Sequence, residues 1–421
     1  MEPIRKVRGI RDIVFPESAK WDEILRISRN LLRSYGYRSI YLPVIEFSNL
    51  FSRAIGEDTD IVLKEMYNFK DRKGRDLSLR PEGTASAARA LIEQNVFSGS
   101  GSEKIFYFGP MFRYERPQEG RYRQFHQFGC EAYGEKSPSI DAEIVGLAVG
   151  VLLECKVGIP ELQVNSVGCR ECRSEYKKTI KKSIGGKLSE LCDDCRRRFD
   201  TNTLRIFDCK NEKCQDIYKD LPGFSESLCA SCKEYFDEYR KYLDEMQFEY
   251  RVNSRLVRGL DYYTGPVFEI DISGSTLIAG GRYDNLIKQL GGPDVPACGW
   301  AFGMERLSEL SCLEDFSSPQ FYFATMGDIK KSYILRVLEK FRDPKDGLDY
   351  AVEADISDVK IAKKMKNADK KGYQYVILIG EDEAENEKIQ IKNLRTGVQT
   401  EFSVNDNELS KKIDGMLEGT R

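Results

Sequence analysis

The residues best equipped for chemistry in this chain lie between Phe112 and Gln127. The stretch FRYERPQEGRYRQFHQ packs four arginines (Arg113, Arg116, Arg121 and Arg123), two glutamates and three glutamines into sixteen residues. A turn built only to reverse the chain uses Asn-Gly or Asp-Gly and few charges. Guanidinium groups held this close repel one another unless an anion lies among them, and guanidinium is the group that grips phosphate bidentately. A polyphosphate is the natural anion, and Glu115 could accept a hydrogen bond from an adenine amino group. A surface loop with local Arg–Glu pairs satisfies the same charges, so the loop alone leaves both readings open.

Three further segments stand out. RGLDYYTGPVFEI places Arg258 and Asp261 before Tyr262 and Tyr263 on an expected strand. Tyrosine pairs on strands also serve as cross-strand packing. In AGGRYDNL the pair Gly280-Gly281 is expected to mark a tight turn, followed by Tyr283. In GWAFGMER, Gly299 and Gly303 precede Arg306. Glycines admit a ligand close to the backbone, but they also simply make turns. The chain has one histidine, His126. A multi-histidine metal site is therefore excluded, and any Ser-His-Asp triad would have to use His126. On an alternating strand His126 faces away from Gln127, so it is expected to be packed or hydrogen-bonded.

Eight of the twelve cysteines form close pairs: Cys169 with Cys172, Cys192 with Cys195, Cys209 with Cys214, and Cys229 with Cys232. Such pairs suit two structural Cys₄ zinc sites, whose metal would stabilise a charge-rich segment with little core of its own. Free thiols are the alternative, since disulfides do not suit a reducing compartment. Cys130, Cys155, Cys298 and Cys312 are isolated and expected in the core.

These groups need elements to position them. Residues 18–36 read as an amphipathic helix with Ser18 as N-cap and Gly36 as its stop. GYRSIYLPVIE is extended, and Pro43 assigns it to a sheet edge or a bulge. After the strand DLSLRP, residues 82–91 begin a helix. KIFYFGPMFRYE and RQFHQFGCEAYG form an antiparallel hairpin around the arginine-rich loop. Residues 138–157 are helical, and GWAFGMERLSEL is a strand running into a helix. Composition shifts near Asn165, where the cysteine-rich insertion begins. A second boundary is expected near Ser317-Ser318-Pro319. Beyond it, strands alternate with helices, including a Lys-rich helix at 358–371, in a small α/β domain. That helix is either a solvated face or a surface for nucleic acid.

With 32% charged and 41% hydrophobic residues, the chain is an ordinary globular one, and no apolar run reaches a membrane span. The N-terminus lacks the apolar core of a signal peptide, so a cytoplasmic protein with no membrane partner is expected. A net charge of −3 excludes a uniformly basic surface but leaves room for a local basic one.

Taken in order, the segments resemble one family. GYRSIYLPVIE looks like motif 1 of class II aminoacyl-tRNA synthetases, the 105–131 hairpin like motif 2, and GWAFGMERL like motif 3. LRPEGT at 79–84, RGLDYYTGPVFE and AGGRYDNL are similar to segments of the histidyl-tRNA synthetases. The resemblance implies an α+β class II synthetase catalytic domain, with a mainly antiparallel six-stranded sheet and helices. It also implies an inserted small domain and a C-terminal α/β anticodon-binding domain. The ranges are 1–164 and 251–316 for the catalytic domain, 165–250 for the insertion, and 317–421 for the last domain.

The implied activity is ATP-dependent ligation of L-histidine to tRNA(His) through histidyl-adenylate, with Mg²⁺ on the nucleotide and a homodimer built through motif 1. Arg113, Arg258 and Arg306 are the implied catalytic residues, with Arg113 and Arg258 at the α-phosphate and histidine carboxylate and Arg306 at the γ-phosphate. Glu115, Arg121 and Arg123 would complete the nucleotide site. Glu82, Gly83, Thr84, Gln127 and Glu131 would hold the amino group and ring of histidine, walled by Tyr262, Tyr263 and Tyr283. Arg116 and Gln118 would read the acceptor end of the tRNA, at the extra 5′ guanosine by which similar enzymes recognise tRNA(His). The nearest rival is the regulatory subunit of ATP phosphoribosyltransferase, a relative that binds histidine without charging tRNA. It typically lacks the C-terminal domain and degrades the three arginine positions; both are present here. A purely RNA-binding protein would leave Glu82, Gln127 and the tyrosine pair unexplained.

Overall fold

The structure is a computed structural model describing residues 3–98, 102–118, 120–209, 211–313, 321–343 and 350–418. The chain divides into two compact units, Met1–Leu313 and Glu314–Arg421. The boundary expected at Ser317-Ser318-Pro319 lies outside the described residues.

The strands of the first unit are β1 (Arg38–Ser39), β2 (Ile45–Phe47), β3 (Tyr67–Lys70), β4 (Asp76–Leu79), β5 (Glu103–Phe112), β6 (Gln124–Tyr133), β7 (Glu161–Ser166), β8 (Tyr250–Val252), β9 (Pro266–Ile272), β10 (Ser275–Arg282) and β11 (Ala297–Gly303). The main sheet runs β1-β5-β6-β11-β10-β9-β7-β8. Its middle six strands, from β5 to β7, are all antiparallel to their neighbours, as expected. Two short parallel strands, β1 and β8, extend it at the edges to eight.

The period-two alternation of strands sorts the side chains of this sheet onto two faces. Phe106, Phe128, Cys130, Phe268, Ile270, Trp300 and Phe302 face one core. Over them lie helices Glu17–Ser34, Pro138–Glu154 and Ala230–Glu245, contributing Trp21, Ile24, Leu152 and Phe236. Ile105, Tyr107, Tyr133 and Val267 face the second core, together with the helix Thr84–Glu93 and the cysteine-rich insertion. The helix Glu17–Ser34 begins one residue before Ser18, with Pro16 in the N-cap position, and Ser18 makes no cap.

The segment read as a single extended motif around Pro43 splits. β1 joins the main sheet and β2 joins a separate three-stranded sheet, β2-β4-β3. Pro43 sits between them, consistent with its missing N–H, and Arg80 ties it down by donating to the carbonyls of Leu42 and Pro43 at 2.8 and 3.2 Å.

Gly280 and Gly281 lie inside β10 and not in a turn. The turn is at Ser273-Gly274, both with positive φ. A Cβ on Gly281 would meet the backbone of Pro266 and Val267 at 2.6 and 2.8 Å, so the glycine permits close strand approach. The tyrosine pair likewise is not on a strand: β9 begins only at Pro266, and 258–263 is a loop.

The insertion leaves the sheet after β7 and returns at β8, which pair side by side. Its helices are Arg170–Ile184, Asp193–Thr201 and Glu212–Tyr218. They bury Tyr176, Ile180, Cys195 and Tyr218 in the second core, which also holds Tyr262 and Tyr263. The helix Ala230–Glu245, within the range assigned to the insertion, packs instead in the core over the opposite face. Cys312 is exposed, contrary to the expected core position, while Cys130, Cys155 and Cys298 are buried.

The second unit has β12 (Phe321–Thr325), β13 (Val352–Asp355), β14 (Tyr375–Ile379), β15 (Lys388–Asn393) and β16 (Gln399–Ser403) in the order β13-β12-β14-β15-β16. The first three are mutually parallel and the last two antiparallel, a mixed sheet. In the Lys-rich helix Ile361–Lys370, Lys364 turns inward and donates to Thr325 O, Thr325 Oγ1 and Asp355 O at 2.9, 3.1 and 3.0 Å. Lys363, Lys366 and Lys370 are exposed. No described helix is long and apolar enough to cross a membrane.

Candidate active site

A cavity of about 460 Å³ opens on the second face of the main sheet. Strand alternation brings Gln127 and Glu131 of β6 and Glu269 of β9 to its wall. Arg113 and Glu115 enter from the hairpin loop, and Arg306 from the helix Met304–Leu310 that follows β11. Glu82 and Thr84 stand at the start of the helix Thr84–Glu93, while Arg258, Tyr262 and Tyr263 come from the loop before β9. Arg121 and Tyr283 complete this set.

Glu131, 1% exposed, is the centre of the buried polar end. Its Oε1 accepts from Thr84 Oγ1 at 2.8 Å and from the Tyr107 hydroxyl at 3.1 Å, and its Oε2 accepts from the Tyr283 hydroxyl. Burial outweighs these donors and pushes the carboxyl up to about 8. A Cβ on Gly299 would overlap Glu131 Oε2, so only glycine fits there. Gln127 Oε1 is buried with no hydrogen-bond partner among the described residues. An acceptor left this way in a cavity wall calls for a donor from a ligand. Tyr262, Tyr263 and Tyr283 form a cluster with ring centroids 4.8, 5.5 and 6.4 Å apart. Glu82 receives the backbone N–H groups of Thr84 and Ala85 at 2.6 and 2.9 Å, so part of its capacity caps the helix. Burial raises its pKa despite these donors.

The arginines occupy the other side. Arg113 Nε donates to Pro81 O at 2.9 Å, and its guanidinium lies 5.2 Å from the Phe125 ring centre. Arg258 is paired with Glu269, and its Nε is buried without a partner among the described residues. Burial works against that charge, but Glu269 and Tyr263 hold it above the ordinary arginine value. Arg306 donates to Gly120 O and Thr276 O, each at 3.1 Å. Burial and the nearby Arg121 lower its pKa. Crowded guanidinium groups that weaken one another favour an anion between them.

Not every expected residue reaches the cavity. Arg123 lies across Tyr114, 4.0 Å from the ring centre, and donates to Glu115 O at 3.3 Å. Gly83 leaves room for the Tyr107 ring and does not line the cavity. Arg116 and Gln118 are exposed at the loop tip, where Gln118 and Arg121 exchange backbone hydrogen bonds at 3.1 and 2.9 Å. Gln118 lines a second depression together with Arg121 and Arg306. His126 is packed on the opposite face, as read from alternation. Its Nδ1 lies 3.1 Å from Glu305 Oε1, and its ring is 5.0 and 5.7 Å from Trp21 and Phe108.

Sequence reasoning missed Tyr107 and Glu269. Tyr107 shares the face of Ile105 on β5, so the alternation that found Glu131 could have found it. Glu269 lies inside RGLDYYTGPVFEI, and alternation along β9 could have found it as well.

The cysteines gather into two groups: Cys169, Cys172, Cys229 and Cys232, and Cys192, Cys195, Cys209 and Cys214. In each, all four sulfurs lie within 4.8 Å of one another. Tetrahedral zinc with bonds of ~2.3 Å places sulfurs about 3.8 Å apart, and the Cys192–Cys209 separation is 3.8 Å. Backbone N–H groups of Cys229 and Cys192 already donate to the sulfurs of Cys172 and Cys214, at 3.1 and 3.3 Å. A hydrogen bond from Ser231 leads the causes that bring the Cys229 thiol down to about 6. The donor set fits zinc.

Comparison with known proteins covers nearly the whole chain. A family model described as histidyl-tRNA synthetase matches residues 9–307, and one described as anticodon binding domain matches 320–415. The histidine–tRNA ligase of Aquifex aeolicus (strain VF5) is 42% identical over 405 residues, 96% of this chain and 99% of that protein. That of Bacillus subtilis (strain 168) is 39% identical over 411 residues, 95% and 96% of the two. The crystal structure of apo S. aureus histidyl-tRNA synthetase matches with a TM-score of 0.77 at 34% identity, covering 97% of this chain and 99% of that one. An ATP phosphoribosyltransferase regulatory subunit/histidyl-tRNA synthetase from Bacillus halodurans C shares the fold, with a TM-score of 0.63 at 20% identity over 90% of this chain and 100% of that one.

Proposed function

The chain belongs to the histidyl-tRNA synthetase family and is an ATP-dependent histidine–tRNA ligase, and we propose that the cavity on the main sheet is where it activates histidine. One observation carries this assignment. Arg113, Arg258 and Arg306 converge on the same cavity whose buried end holds Glu131, Gln127 and three tyrosines. The first set suits a triphosphate and a carboxylate, and the second suits an imidazole and an amino group.

The division of labour follows from charge and reach. The histidine carboxylate is already an anion and attacks the α-phosphorus in line without a general base, releasing pyrophosphate. The protein's part is orientation and stabilisation of the charge growing on the α-phosphate. Arg113 and Arg258 carry that charge, and Glu269 holds Arg258 in place. Arg306 takes the γ-phosphate, and Glu115 with Arg121 faces the nucleotide. Mg²⁺ carried by ATP would neutralise its outer phosphates beside Arg306. Glu131 and the tyrosine cluster take the imidazole, while Gln127, Thr84 and Glu82 take the amino group. Arg116 and Gln118, at the exposed loop tip, meet the acceptor end of tRNA(His), and the unit from Glu314 binds its anticodon region.

Zinc in the two four-cysteine groups is structural in this reading, since neither group lines the cavity. The insertion is the module those metals would brace. A homodimer through the segment around Pro43 is supported by its exposed apolar side chains, Tyr41 at 84%, Ile45 at 48% and Phe47 at 50%. A cytoplasmic setting is supported by twelve free cysteines, which suit a reducing compartment.

The test is ATP–pyrophosphate exchange with each standard amino acid in turn, without tRNA. Exchange that depends on histidine alone is the expected result. Histidine binding without exchange would overturn the assignment and favour a regulatory, non-catalytic role.

A further inference from the structure

The loop that carries Arg258, Tyr262 and Tyr263 has no secondary structure of its own, and the cysteine-rich insertion holds it. Asn202 Nδ2 donates to both carboxylate oxygens of Asp261, at 2.9 and 2.8 Å. Arg205 Nη1 donates to the carbonyl of Gly259 at 2.7 Å. Arg173 Nη1 donates to the carbonyl of Tyr263 at 3.0 Å. From the other side, Asp261 N donates to Ile55 O at 3.2 Å. Of the three positions gripped, Gly259 directly follows Arg258 and Asp261 directly precedes Tyr262.

The gripping residues are themselves fixed. Asn202 is 5% exposed. Asn202 and Arg205 both lie between Cys195 and Cys209, members of one four-cysteine group, so that group closes the segment that carries them. Asp60 pairs with Arg197 and Arg198 at 3.1 and 2.9 Å, anchoring the same segment beside the cavity. Hydrogen bonds to a carboxylate and from a guanidinium are the stronger kind. A loop containing a glycine would otherwise sample many conformations.

We propose that Asn202 and Arg205 are positioning residues for histidine activation, setting Arg258 and Tyr262 through Gly259 and Asp261. The inference rests on the reading of the cavity as the site of histidine activation. It gives the insertion a role in amino-acid activation itself, separate from any contact with tRNA. Misplacing a reacting or orienting group by about 1 Å costs on the order of a hundredfold in rate, so the clamp bears directly on catalysis.

The test uses full-length Asn202→Ala, Arg205→Ala and Arg205→Lys in ATP–pyrophosphate exchange without tRNA, together with amide hydrogen exchange. In both alanine variants kcat falls and the histidine KM rises, lowering kcat/KM for histidine by about a hundredfold, while the ATP KM changes less. Amides of 256–264 exchange faster, and those of β9 to β11 keep their protection. Arg205→Lys, which can still donate to Gly259 O, recovers part of the loss. Wild-type histidine KM with unchanged protection at 256–264 overturns the proposal. So does protection lost equally across β9 to β11, because the role would then be general stability. Absence of histidine-dependent exchange in the unaltered protein sinks the activity reading instead, and the hydrogen-exchange comparison then decides the clamp alone.

Discussion

Tyr107 reaches across the sheet to Glu131, donating its phenol to Oε1 at 3.1 Å although the residue facing it in register is Gly129. A Cβ at Gly129 would lie 2.5 Å from the Tyr107 hydroxyl. The missing side chain opens the diagonal path that joins the two residues. Tyr107→Phe keeps the ring and removes only this donor. The histidine KM should rise about fivefold to tenfold, the worth of one buried hydrogen bond of about 1–1.5 kcal/mol, with the ATP KM unchanged. Exchange kinetics at varied histidine check this, and an unchanged histidine KM would remove Tyr107 from the site.

Glu131 makes the ligand-free protein sensitive to pH. Burial lifts its carboxyl from 4.5 to about 8, so between those values the folded state holds a proton that the unfolded state has released. Stability from this group is complete below about 4.5 and is lost as pH rises through about 8. Glu131→Gln does not titrate. The stability of the wild type relative to this variant should therefore fall as pH rises from 5 to 8.5. Thermal unfolding of both proteins across that range measures it, and a constant difference would mean that Glu131 is ionised throughout.

Arg258→Ala should lower histidine-dependent exchange by about a hundredfold to a thousandfold, as removal of a charge-stabilising donor does elsewhere. Glu269→Gln, which leaves the guanidinium but loosens its hold, should fall between wild type and Arg258→Ala. Circular dichroism should show both folded. Near-normal exchange in Arg258→Ala would falsify the role given to it.

Gln118 sits at the exposed loop tip. Gln118→Ala should leave exchange without tRNA within about twofold of wild type, as for surface changes generally. The same variant should lose discrimination against a tRNA(His) lacking its extra 5′ guanosine. Aminoacylation of the two tRNAs measures the ratio, and full discrimination in the variant would defeat this assignment.

Metal analysis of protein purified without chelator should find two zinc ions per chain, one for each four-cysteine group. Cys209→Ser with Cys214→Ser should leave one ion and lower the melting temperature, because a structural metal contributes folding energy directly. Protein free of zinc and equally stable with or without chelator would rule the sites out.

The parts of this protein that were legible beforehand share a simple cause. A strand has a period of two, so the order of residues along β6 by itself determined that Gln127 and Glu131 share a face and that His126 takes the other. The spacing of the cysteines likewise determined four close pairs. Motif order identified the three arginines as a set. None of this needs distant contacts.

Tertiary structure decided the rest. Which cysteine pairs combine depends on how β7 and β8 bring the ends of the insertion together. That Gly280 and Gly281 belong to a strand depends on the close approach of β9, because glycine has the same local freedom in a turn as under a crowded neighbour. The tyrosine pair became a loop because the insertion hydrogen-bonds its backbone, at Gly259 and Tyr263, from residues more than fifty positions away. Local propensity carries no record of such partners. The pKa of Glu131 was also out of reach of the sequence, since it follows from burial, and burial is a property of the packed whole.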